Sequence, residues 1–219
     1  DYFPQSQRAR ALSIYSFGIP IGSAIGIVFG GVIASLVDWR YAFFVVGLAG
    51  IAFAPIFRMS ISEPRRGQFD RARPETSAAG LGQVFRVLYK KPGFWLMCLG
   101  ASFASMMGYA VFFWLPSFLV RSFDLTLLNA SLFYGSILFI GGLSGIWLGG
   151  WLGDRWGQKD CANYARVPAI AFITTIPFYA IALLSPNLTL TFFVLLVPTA
   201  LGLVWLGPVM SAIQHLVRP

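Results

Sequence analysis

An all-α polytopic membrane protein with six transmembrane helices is the fold class this sequence predicts, on three observations. First, 57% of the 219 residues are hydrophobic, only 11% are charged, and the mean hydropathy is +0.72, a balance foreign to soluble domains. Second, charge is missing over stretches too long for a soluble core of this size, from Leu125 to Gly153 and again between Arg166 and His215. Runs beyond about 18 uncharged apolar residues read as membrane spans. Third, the basic residues sort by side. Arg8 and Arg10 precede the first span, Arg58, Arg65, Arg66, Arg71, Arg73, Arg86, Lys90 and Lys91 fall between the second and third, Arg155, Lys159 and Arg166 follow the fourth, and Arg218 follows the sixth. Arg40 and Arg121 lie on the other side, so the basic loops are cytoplasmic. The net charge of +8 is therefore topology and does not imply a nucleic-acid partner.

The first span is Ala11–Leu36. Gly18, Gly22, Gly26 and Gly30 recur every fourth residue along it, which puts them on one face where another helix can approach closely. Pro20 lies within the run and is expected to kink it. Asp38-Trp39-Arg40 makes the outer turn, and Tyr41–Phe57 returns as the second span, with Trp39 and Tyr41 as interfacial anchors. Composition then changes abruptly. Ser60–Lys91 holds Glu63-Pro64-Arg65-Arg66-Gly67, Pro74 and most of the charge, and reads as a linker with one short amphipathic helix, Leu81–Tyr89, on the membrane surface.

Gly93–Val120 is the third span. Ser102, Met106, Tyr109 and Phe113 recur along it at four-three-four spacing. Such a polar-aromatic stripe either lines a cavity for an amphipathic ligand or packs in lipid or core. The fourth span, Thr126–Leu152, carries a second ladder, Gly141, Gly145, Gly149 and Gly153. The two ladders are expected to face one another across antiparallel helices. Tyr164–Leu184 is the fifth span and Thr189–Ile213 the sixth, the latter interrupted by Pro198 and Gly207-Pro208. Asn129 and Asn187 match the glycosylation pattern but sit at a helix start and in a very short turn, so neither is expected to be used.

Gly149–Asp160, GGWLGDRWGQKD, joins the fourth and fifth spans as a polar turn that must lie at the membrane surface. Its pattern Gly150-x-x-x-Asp154-Arg155-x-Gly157-x-Lys159 resembles the signature loop of the major facilitator superfamily, with Gln158 where a basic residue is usual. Asp1-x-Phe3-Pro4, the first glycine ladder, Trp39-Arg40-x-x-Phe43, Trp114-Leu115-Pro116 and Leu206-Gly207-Pro208 extend the resemblance over nearly the whole chain, most nearly to the spinster-like branch. Ile27 replaces the proline of antiporter members, which argues against drug antiport.

The resemblance implies a piece, the fifth to tenth helices, of a twelve-helix fold. Residues 1–59 would be the last two helices of the N-terminal bundle, 60–92 the cytoplasmic inter-bundle linker, and 93–219 the first four helices of the C-terminal bundle. The opening on Asp1, without an initiator Met, fits that expectation. The implied function is part of a secondary active transporter that moves a small amphipathic or lipid-like substrate, or an organic anion, by alternating access. A carboxylate or sugar-acid symporter of the same superfamily and a non-transporting receptor or scaffold are the alternatives. Ser102, Met106, Tyr109, Phe113, Thr199 and Leu203 would line the substrate cavity. Asp154, Arg155, Gly157 and Lys159 would gate it, Asp154 by accepting from the amides at a neighbouring helix N-terminus.

Catalysis finds no support: His215 is the sole histidine, and no span interior carries an acid. No metal-ligand cluster or cofactor motif occurs, and any ion coupling would use residues outside this chain. The expected partners are the bilayer, a small-molecule substrate and the remaining helices of the parent transporter. The expected location is the plasma membrane, in a bacterium the inner membrane.

Overall fold

The computed structural model describes residues 14–61, 81–157 and 162–209. In order these form α1 (Gly18–Leu36), α2 (Trp39–Ser60), α3 (Leu81–Tyr89), α4 (Pro92–Phe123), α5 (Leu127–Gly157), α6 (Asn163–Leu184) and α7 (Leu188–Leu201). Among the described residues six helices are long and apolar enough to cross a membrane: Ile14–Leu36 containing α1, then α2, α4, most of α5, α6, and Leu188–Val209 continuing α7. The all-α, six-span expectation holds. The opening motif, the Glu63–Gly67 segment, Gln158, Lys159 and His215 lie outside the described residues.

Local chemistry sets the element ends. Asp38 adopts an extended conformation and its carboxylate accepts from the Arg40 amide at 2.8 Å, capping α2. The Arg40 guanidinium lies 4.7 Å from the Trp39 ring centroid, so the outer turn closes on itself. Asn187 caps α7 by accepting from Thr189 N at 2.9 Å and Leu190 N at 3.2 Å, a role that keeps its side chain engaged with backbone. Asp124 ends α4 in the left-handed region at φ 52°, a conformation that Asp tolerates better than most residues. Pro20 interrupts its span, as expected. The break falls at Phe17, and Pro20 sits in the first turn of α1, where its missing N–H costs least.

Two spans are longer than the sequence suggested. α4 has 32 residues, about 48 Å at 1.5 Å per residue, against a hydrocarbon core of roughly 30 Å. α5 runs unbroken through Gly149–Gly157, so most of the expected polar turn is the last turns of a helix. The glycines there do not end the helix because the turn after α7 and the helical residues that follow it pack against them.

α5 is the hub. It packs on α1, α4, α6 and α7, whereas α2 carries no buried residue and packs chiefly on α1. The main apolar core gathers Leu115 and Leu119 of α4, Ala130, Tyr134, Ile137 and Leu138 of α5, Ala182 of α6 and Leu195 of α7 around Ala24 of α1. Phe133 and Phe192 seal its α5–α7 side edge to face, with centroids 5.1 Å apart.

The two glycine ladders do not face one another. A Cβ added at Gly18, Gly22, Gly26 or Gly30 meets nothing within 4 Å. α1 and α5 do pack closely, but through Gly31 against Ser131, Gly135 against Val28, and Gly142 against Pro20. On α1 the contact face (Pro20, Ala24, Gly31) lies about half a turn from the ladder, since each residue advances the helix by about 100°. The second ladder packs on α7 and the segment that continues it instead. Gly141 meets Leu196 and Thr199, Gly145 meets Ala200, Gly149 meets Val204 and Gly153 meets Pro208. Spacing put each ladder on a face; it could not say which neighbour that face would meet.

Candidate substrate cavity

A cavity of about 340 Å³ opens between α1, α4, α5, α6 and the end of α7. α1 supplies Ile19, Pro20 and Ser23, α4 supplies Ser105, Tyr109 and Phe112, α5 supplies Tyr134, α6 supplies Phe172 and Tyr179, and the last span supplies Thr199, Leu203 and Trp205. Most of this wall is apolar or aromatic, and its polar groups are hydroxyls and the Trp205 indole. Such a lining suits a greasy ligand with a few oriented polar contacts.

Close helix crossings hold the wall in place. Gly142 sits where α1, α5 and the last span converge: an added Cβ would strike Pro20 and lie 3.4 Å from Leu203 Cδ1. Its neighbour Gly141, about 100° round the helix, meets Thr199, whose Cβ would be 3.1 Å from an added Cβ. Adjacent glycines of α5 thus seat three lining residues, Pro20, Leu203 and Thr199. After α7 the chain turns at Gly202–Trp205 before becoming helical again at Leu206–Val209. Pro198 cannot donate to the helix and Gly202 loosens it, and this turn presents Leu203 and Trp205 to the cavity.

Three of the six expected cavity residues, Tyr109, Thr199 and Leu203, line this space, and Ser102, Met106 and Phe113 do not. Met106 and Phe113 are 71% and 72% exposed, and the Ser102 hydroxyl donates to the Cys98 carbonyl at 2.8 Å within its own helix. The α4 residues that line the cavity centre about a third of a turn away from the stripe. Tyr109 stands at the shared edge, lining the cavity while 68% exposed. Tyr134 and Tyr179 were missed by sequence reasoning. Tyr134 is 2% exposed, with its ring 6.1 Å from that of Phe112. A tyrosine well inside a span, whose hydroxyl needs a partner, was the available signal.

Of the gating set, Asp154 and Gly157 fall in the last turns of α5, and Lys159 lies outside the described residues. Arg155 is exposed and its guanidinium stands 5.5 Å from the Trp151 ring centroid, one turn back on the same helix. Asn163 opens α6 and donates to the Trp156 carbonyl at 3.0 Å, tying the C-terminal end of α5 to the start of α6. Among the described residues no group of His, Cys, Asp and Glu is arranged to hold a metal ion.

The Major Facilitator Superfamily matches the chain across residues 1–219. An MFS-type efflux pump of Mycolicibacterium smegmatis is 26% identical over 219 residues, which are 100% of this chain and 50% of that protein. Protein spinster homolog 1 of Homo sapiens is 27% identical over 198 residues, 84% of this chain and 38% of that protein. Among solved structures, a bacterial homolog of the human lysosomal transporter Spinster, inward-facing and unoccupied, superposes with a TM-score of 0.74 at 26% identity, covering 99% of this chain and 54% of that one. Its occupied inward-facing form gives 0.70 at 25% identity, covering 99% and 52%. The chain spans about half the length, or less, of the curated relatives it matches.

Proposed function

The chain belongs to the major facilitator superfamily, a family of transporters and not of enzymes, and from that premise we propose that it forms part of a secondary active transporter for a small amphipathic or lipid-like substrate. The protein of which it is part works by alternating access, the two helix bundles rocking about the cavity. Residues 1–59 and 93–219 contribute to separate bundles joined by the 60–92 linker. The inner membrane of a bacterial cell is its location in this reading, and it uses no cofactor.

The observation that carries the substrate class is the wall itself: Phe112, Phe172, Leu203 and Trp205 with hydroxyls from Ser23, Ser105, Tyr109 and Thr199. Apolar and aromatic surface supplies the binding energy for an alkyl or ring system, while a few hydroxyls orient a polar end. A sugar acid needs the reverse proportion. A carboxylate in particular wants a cation or several donors, since burying an unpaired charge costs several kcal/mol or more.

Reconstitution of the full-length protein into vesicles tests the reading. A single-chain amphiphile with a polar head should be transported and should compete with its own unlabelled form. A hydrophilic sugar acid of similar mass should do neither. Transport of the sugar acid alone would overturn the substrate class, and transport of neither would favour a receptor or scaffold.

A further inference from the structure

A second concave site, which shares no lining residue with the substrate cavity, lies at the junction of α3 and α4. Arg86, Tyr89, Lys90 and Trp95 line a cleft of about 310 Å³. Arg86 and Tyr89, at i and i+3, share one face of α3, and Lys90 follows in the turn that ends the helix. Trp95 reaches the same cleft from α4, across a break that Pro92 enforces. The residue before a proline is pushed out of the helical region, and Lys91 accordingly sits at φ −111°, ψ 83° between the two helices. Phe94 stacks edge to face on Trp95 at 5.7 Å, fixing the indole at the rim.

We propose that this cleft binds the phosphate-bearing headgroup of an anionic phospholipid from the cytoplasmic leaflet. Three features commit it to that ligand. Arg86 and Lys90 are both exposed cations on the side of the membrane where the basic loops cluster, facing the leaflet that carries anionic lipid. Tyr89 and Trp95, 82% and 42% exposed, are the amphipathic aromatics that sit at headgroup depth. α4 exceeds the span length, so Trp95, near its first turn, falls in the interfacial zone and not the hydrocarbon core. Beyond Trp95, the exposed Leu96 and Leu99 carry apolar surface on along α4. A phospholipid needs that sequence of surfaces: cation, aromatic ring, then hydrocarbon. Apolar positions 81, 84, 85 and 88 recur at helical spacing in α3, the pattern of a helix lying in the interface. The occupied cleft would then pin the linker's end to the bilayer. This assignment does not depend on the substrate proposed above.

Native mass spectrometry of the full-length protein, released from nanodiscs of equal phosphatidylglycerol and phosphatidylcholine, tests it. The wild type should retain phosphatidylglycerol over phosphatidylcholine by about thirtyfold, the order expected from two cations near an anionic surface. Arg86→Gln with Lys90→Gln should bring the ratio near unity, while Arg58→Gln, a charge removed elsewhere on the same side, should leave it unchanged. In a second arm, brominated phosphatidylglycerol should quench tryptophan fluorescence more than brominated phosphatidylcholine does, and Trp95→Phe, which keeps the other six tryptophans of this chain, should abolish that difference. Free inorganic phosphate at constant ionic strength should displace neither signal. Equal retention of the two lipids, an unchanged ratio in the double variant, or displacement by free phosphate would each overturn the lipid-headgroup site.

Discussion

Gly145 of α5 meets the backbone of Ala200 in α7: a Cβ added at Gly145 would stand 2.8 Å from the Ala200 Cα. Backbone cannot swing aside as a side chain can, so any residue but glycine must separate the helices. Gly145→Ala should therefore destabilise the protein by about 1–3 kcal/mol through overpacking. Gly47→Ala in α2, where an added Cβ meets nothing within 4 Å, should be neutral or slightly stabilising, because alanine favours helix over glycine. Thermal unfolding of the detergent-solubilised full-length protein checks both. Equal midpoints for the two variants would show that α5 and α7 are not in backbone contact.

Rotation of α1 can be tested by cross-linking. Gly31 and Ser131 share the contact between α1 and α5, whereas Gly26 faces away from α5. A Gly31→Cys/Ser131→Cys pair should couple readily under oxidation, and a Gly26→Cys/Gly145→Cys pair should not. The opposite outcome would mean that the ladders, and not the faces described above, form the interface.

How much was legible from the sequence alone follows from what each signal encodes. The uncharged runs gave the spans to within a few residues, because length and apolarity report directly on the bilayer. The Gly149–Gly157 helix was misread as turn: glycine and charge favour an exit from helix, but Val204 and Pro208 supply packing that local propensity cannot register. The ladders were seen correctly as close-contact faces only on α5. A periodic face defines a direction around one axis, and its partner depends on how neighbouring helices are rotated. Tyr109 was found in the cavity because it lies where the stripe meets the lining face; Met106 and Phe113, further round, were not. Tyr134 and Tyr179 escaped a search for periodic faces, because a single aromatic inside a span has no period and is marked only by its hydroxyl.

The hydroxyls of the cavity wall provide the next expectation. If Thr199 and Tyr179 orient a polar end of the substrate, Thr199→Val and Tyr179→Phe should each raise KM by roughly five- to tenfold, the equivalent of about 1 kcal/mol per hydrogen bond. Ser102→Ala should leave KM unchanged, since the Ser102 hydroxyl already donates to Cys98 within its helix. Initial transport rates in reconstituted vesicles separate KM from turnover. A Ser102→Ala effect equal to that of Thr199→Val would place the substrate on the exposed stripe instead.

Asp154 supplies the last expectation, and the extension of α5 sharpens it. An acid in the last turns of a helix opposes the macrodipole of that helix. Asp154, three residues before the end of α5 at Gly157, therefore gains nothing from its own helix. If the charge is useful it must act on a neighbour, and the amides at another helix's N-terminus are the group that would reward it. Asn keeps the shape and one acceptor but loses the charge. Asp154→Asn should thus relieve α5 slightly while weakening the contact elsewhere by roughly 0.3–2 kcal/mol. Membrane insertion and thermal midpoint should hold, and transport should fall by about two- to thirtyfold as the inward gate loses its bias. The measurement is substrate flux at matched expression, alongside thiol accessibility of a cysteine placed at position 205 on the cavity wall. Reduced flux with unchanged accessibility would locate the charge outside the gate, and wild-type flux would remove Asp154 from the mechanism altogether.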